Sequence, residues 1–344
     1  MYRRSALCLA ILFLFSPSAS AQPSESTITL GGAALSRVLD DAEELGPLKT
    51  VMIAQHGKIL AERGYRGNSV TAPTNIKSAS KSIVSALVGI AIDKGVLESV
   101  DQKIAPLLKD DQPHDPDPRM AKITVGHLLS MQAGLERTSG GNYGRWVSSR
   151  NWVRAALAVP FADEPGGRML YSTGSSHLLS AILTRRSGRS TLALARAWLG
   201  PLQDFSIADW ERDPQGNYIG GNQMAMSAKS LLAFGELYRS GGKTAGGQQL
   251  ISPEWIEQSW QPRTNSRFTG DGYGYGWFLR RFGERDVRYA WGYGGQMLYI
   301  VPSLGLTVVM TSDDNIPAAR TGHRENLHRL LSDIIAALRA GEGE

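Results

Sequence analysis

The stretch Ser78-Ala79-Ser80-Lys81-Ser82-Ile83-Val84-Ser85-Ala86-Leu87-Val88-Gly89-Ile90-Ala91-Ile92-Asp93-Lys94-Gly95 decides the reading of this chain. Ile83, Val84, Leu87, Val88, Ile90 and Ala91 recur at helical spacing, and Gly95 follows as a natural stop. The spacing predicts a helix over 78–94, apolar around much of its circumference and therefore buried. The helix opens with Ser-x-x-Lys. Residues three apart share a helix face, so Lys81 can reach the Ser78 hydroxyl. Burial and the positive helix N-terminus both disfavour the ammonium form, pushing Lys81 toward a neutral amine that can act as a base. The alternative is a capping serine followed by a lysine that reaches out to solvent. A second copy of the spacing, Ser240-Gly241-Gly242-Lys243, falls on a Gly-Gly loop where nothing fixes the two side chains together.

On the N-terminal side of this helix, the apolar-rich runs 50–55 and 59–65 flank His56-Gly57-Lys58 and read as a β-hairpin. On its C-terminal side, residues 110–118 are rich in Asp and Pro and form a surface loop. Helical stretches are expected over 124–132, 151–159, 175–187, 191–199 and 227–240. Past Tyr273 the pattern changes to strands: 273–281, 287–291, 296–301 and 306–311, an antiparallel meander. A last amphipathic helix spans about 324–338, with Leu327, Leu330, Leu331, Ile334, Ile335 and Leu338 on one face. Strands and helices at both ends around a helical middle predict an α/β (α+β) fold. Residues 22–100 and 222–344 would form one domain, 101–221 a mainly helical insertion, and the site would lie in the cleft between them.

Composition narrows the function. A 42% hydrophobic content and a 20% charged content describe an ordinary folded chain, and the net charge of +5 is spread without a basic block, which argues against nucleic-acid binding. Arg3 and Arg4, the apolar run 6–15 and the Ala19-Ser20-Ala21 ending read as a secretory signal cleaved after Ala21, with a periplasmic or secreted product. Ten apolar residues are too few to span a bilayer, so no stable membrane insertion is expected after cleavage. The one cysteine, Cys8, lies inside this leader. The mature chain would then have no disulfide, thiol nucleophile or Cys-based metal site, and no metal or cofactor is expected. There is no His-Glu-x-x-His, no phosphate-binding loop and no Gly-x-Ser-x-Gly.

Further motifs follow in order. Tyr171-Ser172-Thr173-Gly174 comes after Pro165-Gly166-Gly167-Arg168, and Trp291-Gly292-Tyr293-Gly294-Gly295-Gln296 lies between two strand candidates. With the segment from Thr124 to Leu135 and Tyr273-Gly274-Tyr275-Gly276-Trp277, this order resembles the class C β-lactamase and penicillin-recognising serine hydrolases, nearest their 6-aminohexanoate-dimer hydrolase and family VIII carboxylesterase branch. The resemblance implies a β-lactamase-like antiparallel sheet flanked by helices. It implies Ser78 as nucleophile, Lys81 and Tyr171 as the proton-handling pair, and an oxyanion hole from the main-chain N–H groups of Ser78 and Gln296. Thr173, Tyr293, Gly294 and Gly295 would line the substrate. A phenol beside an amine is expected to hold a lowered pKa and relay a proton.

Departures from the pattern matter too. Thr173 stands where many relatives have Asn, Tyr293 where a Lys or His is usual, and Gly294 lacks the customary hydroxyl. Loss of a cation at 293 argues against substrates with a carboxylate and leaves small esters, amides or peptides. Tyr143, Trp146, Trp152 and Trp210 could line an apolar pocket or pack the core. A D-alanyl-D-alanine peptidase or weak β-lactamase, and a non-catalytic wall-peptide-binding protein, are the alternatives to an esterase or amidase.

Overall fold

The computed structural model describes residues 28–29, 32–315, 318 and 320–341. The leader expected over 1–21 lies outside the described residues. Twelve strands are present among those described: β1 (Ile28–Thr29), β2 (Leu48–Gln55), β3 (Lys58–Gly64), β4 (Thr74–Asn75), β5 (Asp209–Trp210), β6 (Met224–Met226), β7 (Thr264–Asn265), β8 (Gly272–Tyr273), β9 (Phe278–Phe282), β10 (Arg285–Gly292), β11 (Gln296–Val301) and β12 (Leu306–Ser312). Nine form one antiparallel sheet in the order β1-β3-β2-β12-β11-β10-β9-β8-β7. The other three form a small sheet, β4-β6-β5.

The helices are α1 (Gly32–Asp41), α2 (Ser80–Asp93), α3 (Ile104–Leu107), α4 (Val125–Leu129), α5 (Tyr143–Val147), α6 (Trp152–Leu157), α7 (Thr173–Ser187), α8 (Thr191–Trp198), α9 (Ala228–Arg239), α10 (Pro253–Ser259) and α11 (His323–Gly341). Side chains alternate across the large sheet, as the pleat requires. Val51, Ile53, Tyr299 and Val308 pack with Leu35 and Leu39 of α1 and Leu327, Leu331 and Ile334 of α11. Met52, Ala54, Leu298, Ile300 and Val309 face the other way, into a second core with α2 and α9. Because both faces are covered, β11 and β12 are buried throughout and mostly apolar, without the polar–apolar alternation of a half-exposed strand.

The structure corrects several boundaries. The hairpin turn is two residues, His56 and Gly57, both at positive φ, and Lys58 already pairs with Gln55. The expected strand 273–281 is two strands, β8 and β9, separated by a turn in which Gly276 takes φ +80°. A Cβ at Gly276 would stand 2.9 Å from the Ser85 Cβ, so that turn lies hard against α2. Ser82 and Ser85 of α2 bind it by donating to the carbonyls of Gly276 and Tyr275 at 2.6 and 2.7 Å. Helix α2 ends as expected: Gly95 N–H bonds the Ile92 carbonyl and Val96 N–H the Ala91 carbonyl, a Schellman closure with Gly95 at φ +68°. Trp146, Trp152 and Trp210 belong to the core.

Candidate active site

Ser78 lies in a short 3-10 turn, Lys77–Ala79, that leads directly into α2. Three bonds pin this turn. Lys77 N–H donates to Asn75 Oδ1 at 2.9 Å, Ala79 N–H to the Ile76 carbonyl at 3.1 Å, and the Ser80 hydroxyl to the Lys77 carbonyl at 2.7 Å. They hold Lys77 at φ +51°, a region costly for a side-chain-bearing residue, and so fix the chain just before Ser78. The Lys77 ammonium itself is paired with Asp314 at 3.1 Å.

Lys81 follows in the first turn of α2, only 3% exposed. Its Nζ lies 3.0 Å from Ser78 Oγ, 2.7 Å from the Gly221 carbonyl oxygen and 3.4 Å from Thr173 Oγ1. Burial lowers its pKa from the usual 10.5 to about 7. A neutral amine has two N–H groups and one lone pair. The Gly221 carbonyl can only accept, so it takes one N–H, and Thr173 Oγ1 can take the other. That leaves the lone pair for the Ser78 hydroxyl proton.

Tyr171 reaches the same place from the segment before α7. The Gln132 side chain bonds the carbonyls of Gly166 and Gly167, and Leu170 N–H bonds the Met131 carbonyl, which fixes the approach to Tyr171. Its ring lies 5.0 Å beneath Lys81 Nζ and stacks on Phe278. Contrary to the expected lowering, burial raises the Tyr171 pKa, and interaction with the Ser78 hydroxyl only partly opposes it. The ammonium meant to lower it is itself disfavoured, because burial lowers the Lys81 pKa to about 7. The phenol therefore keeps its proton at neutral pH.

Thr173 opens α7. Its N–H donates to Ser139 Oγ at 2.8 Å, and Gly174 N–H donates to Thr138 Oγ1 at 2.8 Å. Orphan donors at this helix start are thus satisfied by side chains 34 and 36 residues away rather than by a local cap. Ser139 Oγ also lies 3.0 Å from Thr173 Oγ1, so Ser139, Thr173, Lys81 and Ser78 form one chain of polar groups. The sequence assigned Thr138, Ser139 and Gly221 none of these contacts. No local spacing announces a contact made across such separations.

The turn between β10 and β11 carries Tyr293, Gly294, Gly295 and Gln296. Gly292, paired with Gln296, presses on the segment before Ser78: a Cβ there would stand 2.2 Å from the Ile76 carbonyl oxygen. This close approach brings the start of β11 to the Ser78 turn. The Gln296 side chain points into the interior, where its Nε2 donates to the Ser312 carbonyl at 2.8 Å. Tyr293 is 47% exposed. Gly294 and Gly295 take φ +85° and +104°, and Cβ atoms on them would meet the Asp313 carbonyl oxygen at 2.4 Å and Leu327 Cδ1 at 2.8 Å. The missing hydroxyl at 294 is therefore a demand of this main chain, which leaves no room for a side chain.

His127 closes a capping box at the start of α4: its N–H bonds Thr124 Oγ1 while its Nδ1 accepts from Thr124 N–H. Among the described residues no group of acidic, His or Cys side chains could hold a metal ion. Two surface hollows of about 540 Å³ each lie elsewhere, one between α1 and α11 and one beside α9. Neither is lined by Ser78, Lys81 or Tyr171, so side-chain geometry, not volume, marks the site.

A buried lysine held against a serine, with a tyrosine delivered by a later segment and a glycine-rich strand edge alongside, is accompanied by a match to the beta-lactamase family model over residues 49–332. The chain belongs to the beta-lactamase family. Members of this family are hydrolases, and the fold is shared widely. A provisionally assigned 6-aminohexanoate-dimer hydrolase from Bacillus anthracis superposes with a TM-score of 0.71 at 18% identity, covering 90% of this chain and 82% of that one. A family VIII carboxylesterase gives 0.70 at 15%, covering 91% and 99%. A penicillin-binding protein homologue from Caulobacter crescentus gives 0.67 at 19%, covering 84% and 93%. At these identities the likeness is one of fold. Two Dichelobacter nodosus proteins provisionally named fimbrial assembly protein FimD are 32% and 30% identical over 141 and 154 residues, 39% and 43% of this chain. The matched segments span 35% and 38% of those relatives' own lengths.

Proposed function

We propose that this beta-lactamase-family chain is an exported serine hydrolase that cleaves a neutral ester or amide through an acyl-enzyme on Ser78. The observation that carries the reading is the buried Lys81 amine, 3.0 Å from Ser78 Oγ, with its other two polar contacts on Gly221 and Thr173. In acylation Ser78 Oγ attacks the substrate carbonyl carbon while its proton passes to Lys81 Nζ. The main-chain N–H groups of Ser78 and Gln296 receive the oxyanion. As the tetrahedral intermediate collapses, the bond to the leaving group breaks and that group takes the Tyr171 proton, which Lys81 replaces. Water then attacks the acyl carbon by the reverse sequence and frees the acid and Ser78. Because Tyr171 stays protonated, Lys81 is the base of the pair and Tyr171 the acid.

Substrate charge follows from the cations nearby. Tyr293 offers no positive partner to a carboxylate, and Lys77, beside the nucleophile, is already held by Asp314 at 3.1 Å. Both favour a substrate uncharged near the scissile bond over a β-lactam or a D-alanyl-D-alanine terminus. The proposed site in a periplasmic or secreted protein rests on the leader read from 1–21. Turnover of a chromogenic short-chain ester and labelling by a fluorophosphonate test the assignment. Wild type is expected to show both and Ser78→Ala neither; a Ser78→Ala protein that reacts as well as wild type would refute it.

A further inference from the structure

The interior of the helical part holds a buried His–Asp pair that the reaction above leaves unused. His177, on α7 one turn past Thr173, and Asp213 are fully buried, with His177 Nε2 2.9 Å from Asp213 Oδ2. Trp146 and Trp152 meet the imidazole edge-on. The other ring nitrogen, Nδ1, accepts the Gly220 N–H at 3.4 Å, so Nε2 carries the hydrogen that goes to Asp213. Asp213 in turn closes its own loop, taking N–H groups of Gln215 and Asn217 at 2.9 and 2.8 Å and the Asn217 side-chain amide at 2.9 Å.

Gly220 and Gly221 are the wall of the catalytic lysine. A Cβ on Gly220 would stand 2.0 Å from the Ser176 carbonyl oxygen, and one on Gly221 would stand 2.4 Å from Lys81 Cγ. The Ser176 hydroxyl donates to the Gly220 carbonyl at 2.8 Å, and the Asn222 amide donates to Tyr143 Oη at 3.0 Å. An unbroken series therefore runs from Asp213 through His177 to Gly220 and, one residue on, to the Gly221 carbonyl against Lys81 Nζ.

We propose that His177 and Asp213 are positioning residues that hold the Gly220–Gly221 main chain against Lys81, supplying its carbonyl acceptor and keeping water from its amine. This rests on Lys81 being the base. The titratable neighbours of Lys81 are Tyr171, which burial keeps protonated, and the Lys77–Asp314 pair beyond Ser78. None of these lowers the lysine's proton affinity. Burial is its cause, so loosening the glycine wall admits water and raises it again.

The experiment compares wild type, Asp213→Asn, His177→Gln and Lys81→Met in ester turnover from pH 5 to 10, with rates expressed per mole of protein and folding checked by circular dichroism. Asp213→Asn and His177→Gln are expected to lose about tenfold to a hundredfold in kcat with little change in KM. The acid limb of the kcat/KM profile is expected to move to higher pH. Folded variants whose acid limb stays at the wild-type position would overturn the inference while leaving Lys81 as base. So would failure of both variants to fold, which would assign the pair to the fold alone. Full activity of Lys81→Met would instead remove the functional reading beneath it.

Discussion

Two stretches of this chain carry serine and lysine at the same spacing in opposite surroundings. Ser78 and Lys81 straddle the junction of a pinned turn and a buried helix; Ser240 and Lys243 lie exposed at the Gly-Gly end of α9. The Ser240 hydroxyl bonds the carbonyls of Leu237 and Lys243 at 3.1 and 2.6 Å, so its proton points to the main chain and not to an amine. Lys81, by contrast, is enclosed and loses its charge near neutrality. Spacing proposes the pair, and burial supplies the chemistry. The same spacing in water is a loop.

The largest effect that would break the comparison comes from Lys81→Met, which keeps length and apolar packing but removes the lone pair. Acylation of Ser78 by an ordinary ester is expected to fall by about a thousandfold or more, read as burst amplitude and rate. Tyr171→Phe comes next, with an expected loss of about a hundredfold. With the phenol serving the leaving group, as proposed, the loss should be largest for amides and smallest for aryl esters, which need no proton on departure. Equal losses across that series would remove Tyr171 from the acid role.

The burial that lowers the Lys81 pKa also costs stability. Below about 7 both the folded and the unfolded chain carry the protonated lysine, and the penalty is present in full. It shrinks as pH rises through the folded value and vanishes above the unfolded 10.5, a range worth roughly 5 kcal/mol. Urea unfolding should therefore show Lys81→Met gaining most over wild type at or below pH 7, with the difference narrowing toward pH 10.5. A gap independent of pH would contradict a neutral buried lysine. Gly294→Ser, which restores the hydroxyl common in relatives, forces a Cβ against the Asp313 carbonyl at φ +85°. It is expected to cost about 1–3 kcal/mol in the same assay and to create no carboxylate preference. The smallest effect belongs to the exposed copy: Ser240→Ala and Lys243→Met should each stay within about 0.5 kcal/mol of wild type with unchanged turnover.

How much was legible follows the same division between local and distant causes. The Ser78–Lys81 contact was readable because the turn holding Ser78 runs straight into α2, so residues three apart still meet, and β11 and β12 because burial on both sides leaves mostly apolar strands without alternation. The 273–281 strand was overrun because its glycines read as strand residues until the fold presses Gly276 onto α2. Helix α1 escaped notice with only Leu35 and Leu39 buried. Trp146, Trp152 and Trp210 show that an aromatic residue reads the same for a pocket as for a core. Ser139 and the Gly221 carbonyl were invisible because each meets its partner across a long stretch of chain, and one of them acts through its main chain. The lowered phenol pKa failed for a related reason: burial of the phenol itself raises its pKa, and the same burial lowers that of Lys81 to about 7.

The most direct test is the pH dependence of fluorophosphonate labelling, with the modified peptide located by mass spectrometry. The label is predicted on Ser78 and absent from Ser240, with a rate that climbs as pH rises through about 7. In Lys81→Met the rate should collapse and lose that limb. Labelling of Ser78 that shows no limb near 7, or that proceeds unchanged in Lys81→Met, would contradict the claim that burial turns this lysine into the base.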